Sequence, residues 1–301
     1  MKKNLWVKLI SVILIAASLV TLIACDSLED ESGNGSDSNV GQETFLKAEN
    51  LMPSQNLTFT LTSNKKGYML KSVSKCNDEQ IVIPSTYAGT DGNALPVTTI
   101  ATGAFKGNKT AVTVYIPDSV TKINNNAFAE AKSLTYVICG SGITEIADKA
   151  FRNCTQLKRI VLNEGITKIG AYAFEGCENL EAIEIPDTVK TIGEACFLRC
   201  ARMTSVKLGK GLDKTTYVKD SKGVEQPKGG LGQFAFYFCK NISTVRYSGT
   251  KEEFEKLHID VSCFLSITLT EYATCADGKQ AKLPELEGQN QLPQELADSF
   301  N

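Results

Sequence analysis

The residues of this 301-residue chain whose types could do chemistry are its ten cysteines and its only histidine, His258. Cysteines of an exported protein can form disulfides, and together with histidine they can hold zinc, which needs four ligands that converge on one point. Four of the cysteines recur at one position of a repeated pattern, namely Cys154, Cys177, Cys200 and Cys239. Because a ladder of side chains along one axis offers no such point, we predict buried, free thiols that act as small core residues. For Cys76, Cys263 and Cys275, which lie outside the repeats, disulfide pairing stays open.

The rest of the sequence gives no indication of catalysis. It contains no phosphate-binding GxxxxGK[ST] loop, no GxGxxG that opens a helix and no HExxH. His258 follows a short predicted helix, where we expect it to be solvated or packed against a cap. The 32 basic and 34 acidic residues nearly cancel, which argues against nucleic acid as a partner. We therefore predict a protein that is not an enzyme, has no metal site and uses no cofactor.

A fixed step of 23 residues determines where the cysteines lie. Each of five phenylalanines follows an Ala or a Cys and stands 23 residues from the next, namely Phe105, Phe128, Phe151, Phe174 and Phe197. A period of this length predicts a solenoid, in which each unit buries its apolar face against its neighbours. The next member, Phe236, comes 39 residues after Phe197, which indicates an insertion that projects from the stack between residues 213 and 230.

Within each unit, a short alternating segment predicts a strand. In Leu180–Ile185 the side chains of Ile183 and Ile185 face inward, and Pro186 and Asp187 then turn the chain. Equivalent strands are predicted at Ala111–Ile116, Leu134–Cys139, Leu157–Leu162, Met203–Leu208 and Ile242–Tyr247. A hairpin of Leu57–Leu61 and Tyr68–Val73 is expected to cap one end. A helix at Thr250–Leu257 and a strand at Leu265–Tyr272 are expected to cap the other.

The unit resembles that of the BspA-like leucine-rich repeat proteins of bacterial surfaces. The matching pattern is Ile-Gly-x-x-Ala-Phe-x-x-Cys-x-x-Leu-x-x-Ile-x-Ile-Pro, clearest between Ile169 and Pro186. The resemblance implies a mainly β, right-handed leucine-rich-repeat solenoid, with a parallel sheet of about six 23-residue repeats that is capped at both ends. It also implies adhesion or host-protein interaction, with extracellular-matrix and plasma proteins as the typical partners of relatives.

The N-terminal residues indicate export and anchoring. Lys2, Lys3 and Lys8 flank or precede an apolar stretch that ends in Leu22-Ile23-Ala24-Cys25. This ending resembles a bacterial lipoprotein lipobox, in which Cys25 is acylated; an ordinary signal peptide and an uncleaved anchor are the alternatives. The polar segment that follows has the composition of a flexible tether.

These observations give the following organisation. Residues 1–24 are a lipoprotein signal peptide, 25–50 the acylated Cys25 and its tether, and 51–96 an N-terminal β cap. Residues 97–250 are the leucine-rich repeats with the insertion at 213–230, 251–282 a C-terminal cap, and 283–301 a disordered tail. We expect a monomer in the bacterial envelope, held to a membrane through its lipid anchor and exposed at the surface.

Binding is predicted on the strand residues that face outward. Alternation places two aligned columns there, and their apolar, aromatic and charged members are the candidate binding residues Tyr115, Tyr136, Ile138, Arg159, Val161, Glu184, Lys207 and Arg246. The alternative is that Tyr, Ile and Val occur here because they favour strands. The lysines of the insertion could contribute to recognition or form a solvated loop.

The leading hypothesis is therefore a non-catalytic surface lipoprotein that binds a protein ligand, such as a host extracellular-matrix or plasma protein. A structural or assembly role in the bacterial envelope is the second hypothesis. A glycan-processing or other enzyme is the third.

Overall fold

A computed structural model of the chain describes residues 51–90, 92–214, 216–219, 225–257, 259–264, 267 and 269–284. The predicted signal peptide, Cys25, the tether and His258 lie outside the described residues. So do residues 285–301, which make up most of the predicted tail.

The described residues are mainly short strands, with two short helical segments near the C-terminal end. The strands are β1 (Thr58–Leu61), β2 (Tyr68–Ser72), β3 (Gln80–Val82), β4 (Thr86–Ala88), β5 (Ala94–Ile100), β6 (Thr113–Tyr115), β7 (Lys122–Ile123), β8 (Tyr136–Ile138), β9 (Glu145–Ile146), β10 (Arg159–Val161), β11 (Lys168–Ile169), β12 (Ala182–Glu184), β13 (Thr191–Ile192), β14 (Ser205–Leu208), β15 (Thr216–Lys219), β16 (Glu225–Lys228), β17 (Gly230–Leu231), β18 (Thr244–Tyr247), β19 (Tyr272–Cys275) and β20 (Gln280–Lys282). The helical segments are α1 (Lys251–Glu255) and a 3-10 helix at Val261–Phe264. Neither segment is long and apolar enough to cross a membrane, and no other helix in the described part of the chain is.

The strands form two faces of a solenoid, as the 23-residue period predicts. The long sheet runs in the order β1-β2-β5-β7-β9-β11-β13-β17. The hairpin β1–β2 is antiparallel, the later strands of this order pair in parallel, and β4 pairs antiparallel with β5 at the side. On the other side, β10-β8-β6-β3 form the first front sheet and β12-β14-β18-β19-β20 the second front sheet. Residues of equal position in successive repeats are therefore neighbours across strands.

A column of stacked aromatic rings fills the core between the two faces. The rings of Phe105 to Phe236 lie parallel with centroids 4.3 to 5.2 Å apart, and every one of these phenylalanines is buried. Phe264 extends the column at 5.4 Å from Phe236, although it stands outside the repeat register. The prediction of buried phenylalanine pegs is confirmed, and the C-terminal cap continues the column.

The cysteines of the described residues are all free and buried, as predicted for those in the repeats. In the repeated position, each thiol donates a hydrogen bond to a phenylalanine carbonyl of the preceding unit, for example Cys154 Sγ to Phe128 O at 3.0 Å and Cys177 Sγ to Phe151 O at 3.2 Å. Cys76, Cys263 and Cys275, for which disulfides were left open, are also free. The thiol thus fills space and satisfies a carbonyl that faces the core.

The parallel stacking of strands continues from the repeats into both segments that the sequence predicts as caps. β3 and β19, which lie in segments predicted as caps, pair in parallel with β6 and β18. The strand predicted at Leu265–Tyr272 lies partly outside the described residues, which omit residues 265, 266 and 268; β19 begins at Tyr272, and Leu283 at the start of the predicted tail is buried. The insertion contains an antiparallel hairpin of β15 and β16. The predicted helix is confirmed as α1, which Thr250 and Glu253 begin with a capping box.

The aromatic column should dominate the stability of the solenoid. Replacing Phe174 with Ala removes a fully buried ring between two others, and we expect the free energy of unfolding to fall by about 3–5 kcal/mol. Urea denaturation monitored by circular dichroism measures this loss. Phe238→Ala is the matched control, because that ring is only partly buried and lies outside the main core, so its loss should be smaller. Equal losses would contradict the role assigned to the column.

The buried thiols should make stability depend on alkaline pH. Burial raises the pKa of both Cys139 and Cys154 to about 12, so the folded protein keeps protons that the unfolded chain releases near its ordinary thiol pKa. The free energy of unfolding should therefore stay level below about pH 8.5 and fall as the pH rises toward about 12. Urea titrations across this range test it. Cys154→Ala, which introduces the residue that Ala131 already supplies in the same column, should show a smaller fall; an unchanged pH dependence would contradict the assignment.

Candidate binding surface

The outer face of the two front sheets is built by strict alternation along three-residue strands. The middle residue of each strand points into the core and is buried, as for Val114, Val137, Ile160, Ile183, Val206 and Val245. The first and third residues point outward, and the parallel register aligns them with their equivalents in the next unit. Two outward columns result, spaced at about 4.8 Å per strand.

The third-position column is apolar along the first front sheet. It contains Val82, Tyr115, Ile138 and Val161 in register. The sequence analysis assigns the strand of Val82 to a cap and so omits this residue. The signal for it is Ile81-Val82-Ile83-Pro84, which matches the Ile-x-Ile-Pro at the end of the repeat pattern.

Tyr115 requires a correction. It was predicted to be exposed, but only 8% of its surface is accessible, and Gln80 Nε2 donates a hydrogen bond to its hydroxyl at 3.3 Å. Gln80 belongs to β3, the neighbouring strand, and a contact between strands is not visible in the alternation of one strand. Tyr115 therefore supports the surface more than it presents itself to a partner.

The contact patch, defined here as Tyr136, Ile138, Arg159 and Val161, lies beside Tyr115. These residues are the first and third positions of the adjacent strands β8 and β10, and all are half-buried. The sheet therefore brings four of the predicted candidates together, two on β8 and two on β10. Tyrosine and arginine are the residue types that most often dominate protein interfaces, and half-burial reduces the entropy that binding would cost.

The remaining candidates form a charged continuation on the second front sheet. Glu184 and Lys207 are exposed neighbours, and their charged atoms lie 3.6 Å apart. Arg246 follows in register and is also exposed. An exposed ion pair of this kind contributes little to stability, so these side chains remain available to solvent and to partners.

The change from apolar to charged side chains coincides with a break between the two front sheets. β10 and β12 do not pair, and Leu162 is only partly buried, whereas its equivalents Ile116, Cys139 and Ile185 are buried. A groove of about 150 Å³ opens there, lined by Leu162, Glu164, Glu184, Ile185, Pro186, Asp187, Lys207 and Ser248. Most of the lining side chains are polar or charged, and Glu184 and Lys207 of the charged continuation are among them.

A second apolar cluster lies in the turns after the long sheet, and the sequence reasoning missed it. It comprises Ala195, Leu198, Phe234 and Tyr237, with the partly buried Tyr172 and Phe238 against them. The signal is that bulky residues stand where earlier units have Gly103, Gly107 or Asn126. Tyr172, Phe234 and Phe238 adopt φ values of 57°, 57° and 58°, a left-handed conformation that large side chains rarely adopt.

Hydrogen bonding and charge fix the exposed edge of this turn cluster. The Tyr172 hydroxyl donates to Glu194 Oε1 at 2.9 Å, and the Lys149 amine lies 5.7 Å from the centre of the tyrosine ring. Burial, followed by the bond to Glu194, raises the pKa of Tyr172 to about 12. The cluster is therefore neutral and apolar at its centre at physiological pH.

Among the described residues, no group of three or more His, Cys, Asp or Glu side chains is placed to hold a metal ion. Burial raises the pKa of both Cys139 and Cys154 to about 12, so these two thiols are protonated at neutral pH.

Comparisons with known proteins agree with the repeat geometry. Residues 98–218 match the family described as "BspA type Leucine rich repeat region", in six copies. No curated protein matches the sequence. Among solved structures, the leucine-rich repeat protein TpLRR of T. pallidum is 29% identical, with a TM-score of 0.53, over 65% of this chain and 80% of that protein.

Two further solved structures are more distant. A leucine-rich cell surface protein of Faecalibacterium prausnitzii is 19% identical with a TM-score of 0.48, over 77% of this chain and 60% of that one. The pneumococcal vaccine antigen PcpA is 15% identical with a TM-score of 0.35, over 67% and 73% of the two chains. The 23-residue register, the parallel strands and the stacked phenylalanines show a leucine-rich-repeat solenoid, and residues 98–218 of it are similar to the BspA-type repeat region.

Proposed function

We propose that the protein is a non-catalytic binding protein of the bacterial surface that recognises a protein ligand through the contact patch. The observation that carries the proposal is the single block of Tyr136, Ile138, Arg159 and Val161 on the outer face of β8 and β10. A half-buried aromatic and aliphatic surface beside a guanidinium combines apolar area with directional hydrogen bonding.

The scaffold supports this function because it holds the patch rigidly. β8 pairs with β6 and with β10 in parallel, and backbone hydrogen bonds between successive units, for example from Lys158 N to Thr135 O at 2.9 Å, fix the two patch strands against each other. A partner then gains contacts without ordering a flexible loop, which lowers the cost of binding. The exposed Glu184, Lys207 and Arg246 extend the same face with charges that can steer a partner into register.

The N-terminal sequence supports a location at the cell surface. Acylation at Cys25 and the polar segment after it would hold the solenoid near a membrane while leaving its front face accessible. The family resemblance supports adhesion, with a host extracellular-matrix or plasma protein as the ligand. The bacterial envelope itself is the other source of partners.

The double variant Tyr136→Ala, Ile138→Ala should weaken binding to the ligand at least about tenfold, because it removes the aromatic and aliphatic half of the patch. The measurement is surface plasmon resonance of the purified chain against a panel of host matrix and plasma proteins, with a detergent extract of the bacterial envelope as a further arm. Retention by the host panel would identify an adhesin, and retention by the envelope extract alone a structural partner.

Two control variants sharpen this experiment. Lys122→Ala with Lys168→Ala alters the outer face of the long sheet, and it should leave binding unchanged. Lys207→Ala with Arg246→Ala alters the charged continuation, and it should slow association more than it speeds dissociation. Binding that survives the Tyr136 and Ile138 substitutions at full strength would refute the patch as the binding site.

The variant Cys25→Ala should lose the lipid anchor, because only the cysteine thiol of a lipobox accepts the acylglycerol group. We expect no incorporation of labelled fatty acid and accumulation of an unprocessed or released protein. Metabolic labelling and membrane fractionation of cells that express the variant measure both effects. Ser27→Ala, two residues away, is the control; a Cys25→Ala protein that is still labelled and normally processed would exclude lipidation at this position.

A further inference from the structure

One edge of the long sheet is open in the described part of the chain. β1 is the terminal strand of that sheet, and among the described residues its only strand partner is β2. Thr62 N–H donates to Gly67 O at 2.9 Å at the closed end of the hairpin, in register with the pair Thr60 and Met69. Because backbone groups alternate in direction along a strand, those of Thr60 face β2 and those of Phe59 and Leu61 face the open edge.

The other edge at the same end of the solenoid is covered. The strand β3 ends the first front sheet, and there Ser54 N donates to Val82 O at 2.9 Å, while Val82 N donates to Ser54 Oγ at 3.1 Å. The last strand of the second front sheet, β20, carries a charged residue, Lys282, which is a common means of discouraging strand addition. Hydrogen bonds from Ser54 thus block strand addition at β3, and the charge of Lys282 discourages it at β20. In the described part of the chain, β1 has neither feature.

The sequence of β1 and its flanks lacks the residues that normally block an edge. The segment from Leu57 to Ser63 reads Leu-Thr-Phe-Thr-Leu-Thr-Ser, with no charge and no proline, and it is rich in residues that favour strands. Leu61 leaves 41% of its surface exposed. Such an edge favours the addition of another strand through backbone hydrogen bonds.

We infer that β1 is a self-association edge, at which two copies of the chain pair β1 with β1 antiparallel about a two-fold axis. Identical strands meet this geometry without any second surface, since each outward group of one copy finds its counterpart in the other. The absence of charge from the segment removes the repulsion that identical charged edges would experience. The arrangement joins two long sheets into one and leaves both front faces open, so it does not depend on the proposed function.

The register of this pairing follows from the direction of the backbone groups. If the axis passes through Thr60, Phe59 of one copy exchanges both backbone hydrogen bonds with Leu61 of the other. Thr60 then faces Thr60 of the second copy as a non-hydrogen-bonded pair, with Cα atoms about 4.5 Å apart. This separation lies within the range that a disulfide spans. The expected monomer of the sequence analysis is thereby replaced by a symmetric dimer.

Disulfide trapping tests the pairing directly. The full chain carrying Thr60→Cys, purified in detergent and mildly oxidised, should run at twice its mass on a non-reducing gel. Thr58→Cys is the matched control of the same residue type on the same strand; its two copies would face Thr62 rather than each other, so it should stay monomeric. The wild-type chain on the same gel measures any cross-linking that comes from the native cysteines.

A second variant distinguishes cross-linking through edge pairing from cross-linking by random encounter of two cysteines. Leu61→Pro in the Thr60→Cys background removes an outward N–H from each copy without removing a hydrogen bond to β2, and it should lower the cross-linked fraction at least about tenfold. Leu61→Thr should not, and circular dichroism checks that both variants are folded. If Thr60→Cys fails to cross-link, or if cross-linking is equal at Thr58 or insensitive to Leu61→Pro, the proposal is overturned. The edge would then be left to a different partner strand or to the chain's own N-terminal segment.

Discussion

The hydrogen bonding between successive units is the constraint on which the rest of this structure depends. Each Ala-Phe segment bonds to the next, with Phe105 N to Ala127 O and Phe128 N to Ala150 O both at 2.7 Å. All units must therefore have the same height, and the ring spacing of 4.3 to 5.4 Å follows from it. The turns obey the same limit: a Cβ on Gly193 would lie 2.3 Å from Ala171 N, so glycine is required there.

This constraint divides the chain into residues that serve the stack and residues that are free to differ. Inward positions accept only side chains that fit the fixed spacing between units. The position three residues after each repeated phenylalanine therefore carries only the small residues Cys, Asn or Ala. Outward positions carry no such restriction, and they change from apolar on the first front sheet to charged on the second. The break between β10 and β12 marks that change, and the contact patch lies at its border. The outward columns are therefore the part of the solenoid that can specify a partner.

Regular inward positions were predictable from the sequence, whereas lateral packing was not. The phenylalanine column, the free thiols of the repeats and the places of the repeat strands follow from period and alternation alone, although the strands are three or four residues long rather than the predicted six. The burial of Tyr115 does not, since Gln80 from a strand assigned to a cap packs beside it. The same applies to the turn cluster, where Tyr172, Phe234 and Phe238 meet across repeats in a left-handed conformation that composition does not reveal.

By itself the sequence determined the solenoid, its height per unit and which residues face the core, because a repeated pattern must bury its apolar face against copies of itself. The tertiary structure decided where the stack begins and ends, which outward residues cover one another, and which sheet edges are covered. β3 and β19 joined the ladder and Ser54 closed one edge, while β1 has only β2 beside it among the described residues. These outcomes depend on contacts between segments far apart in the chain, and no local pattern records them.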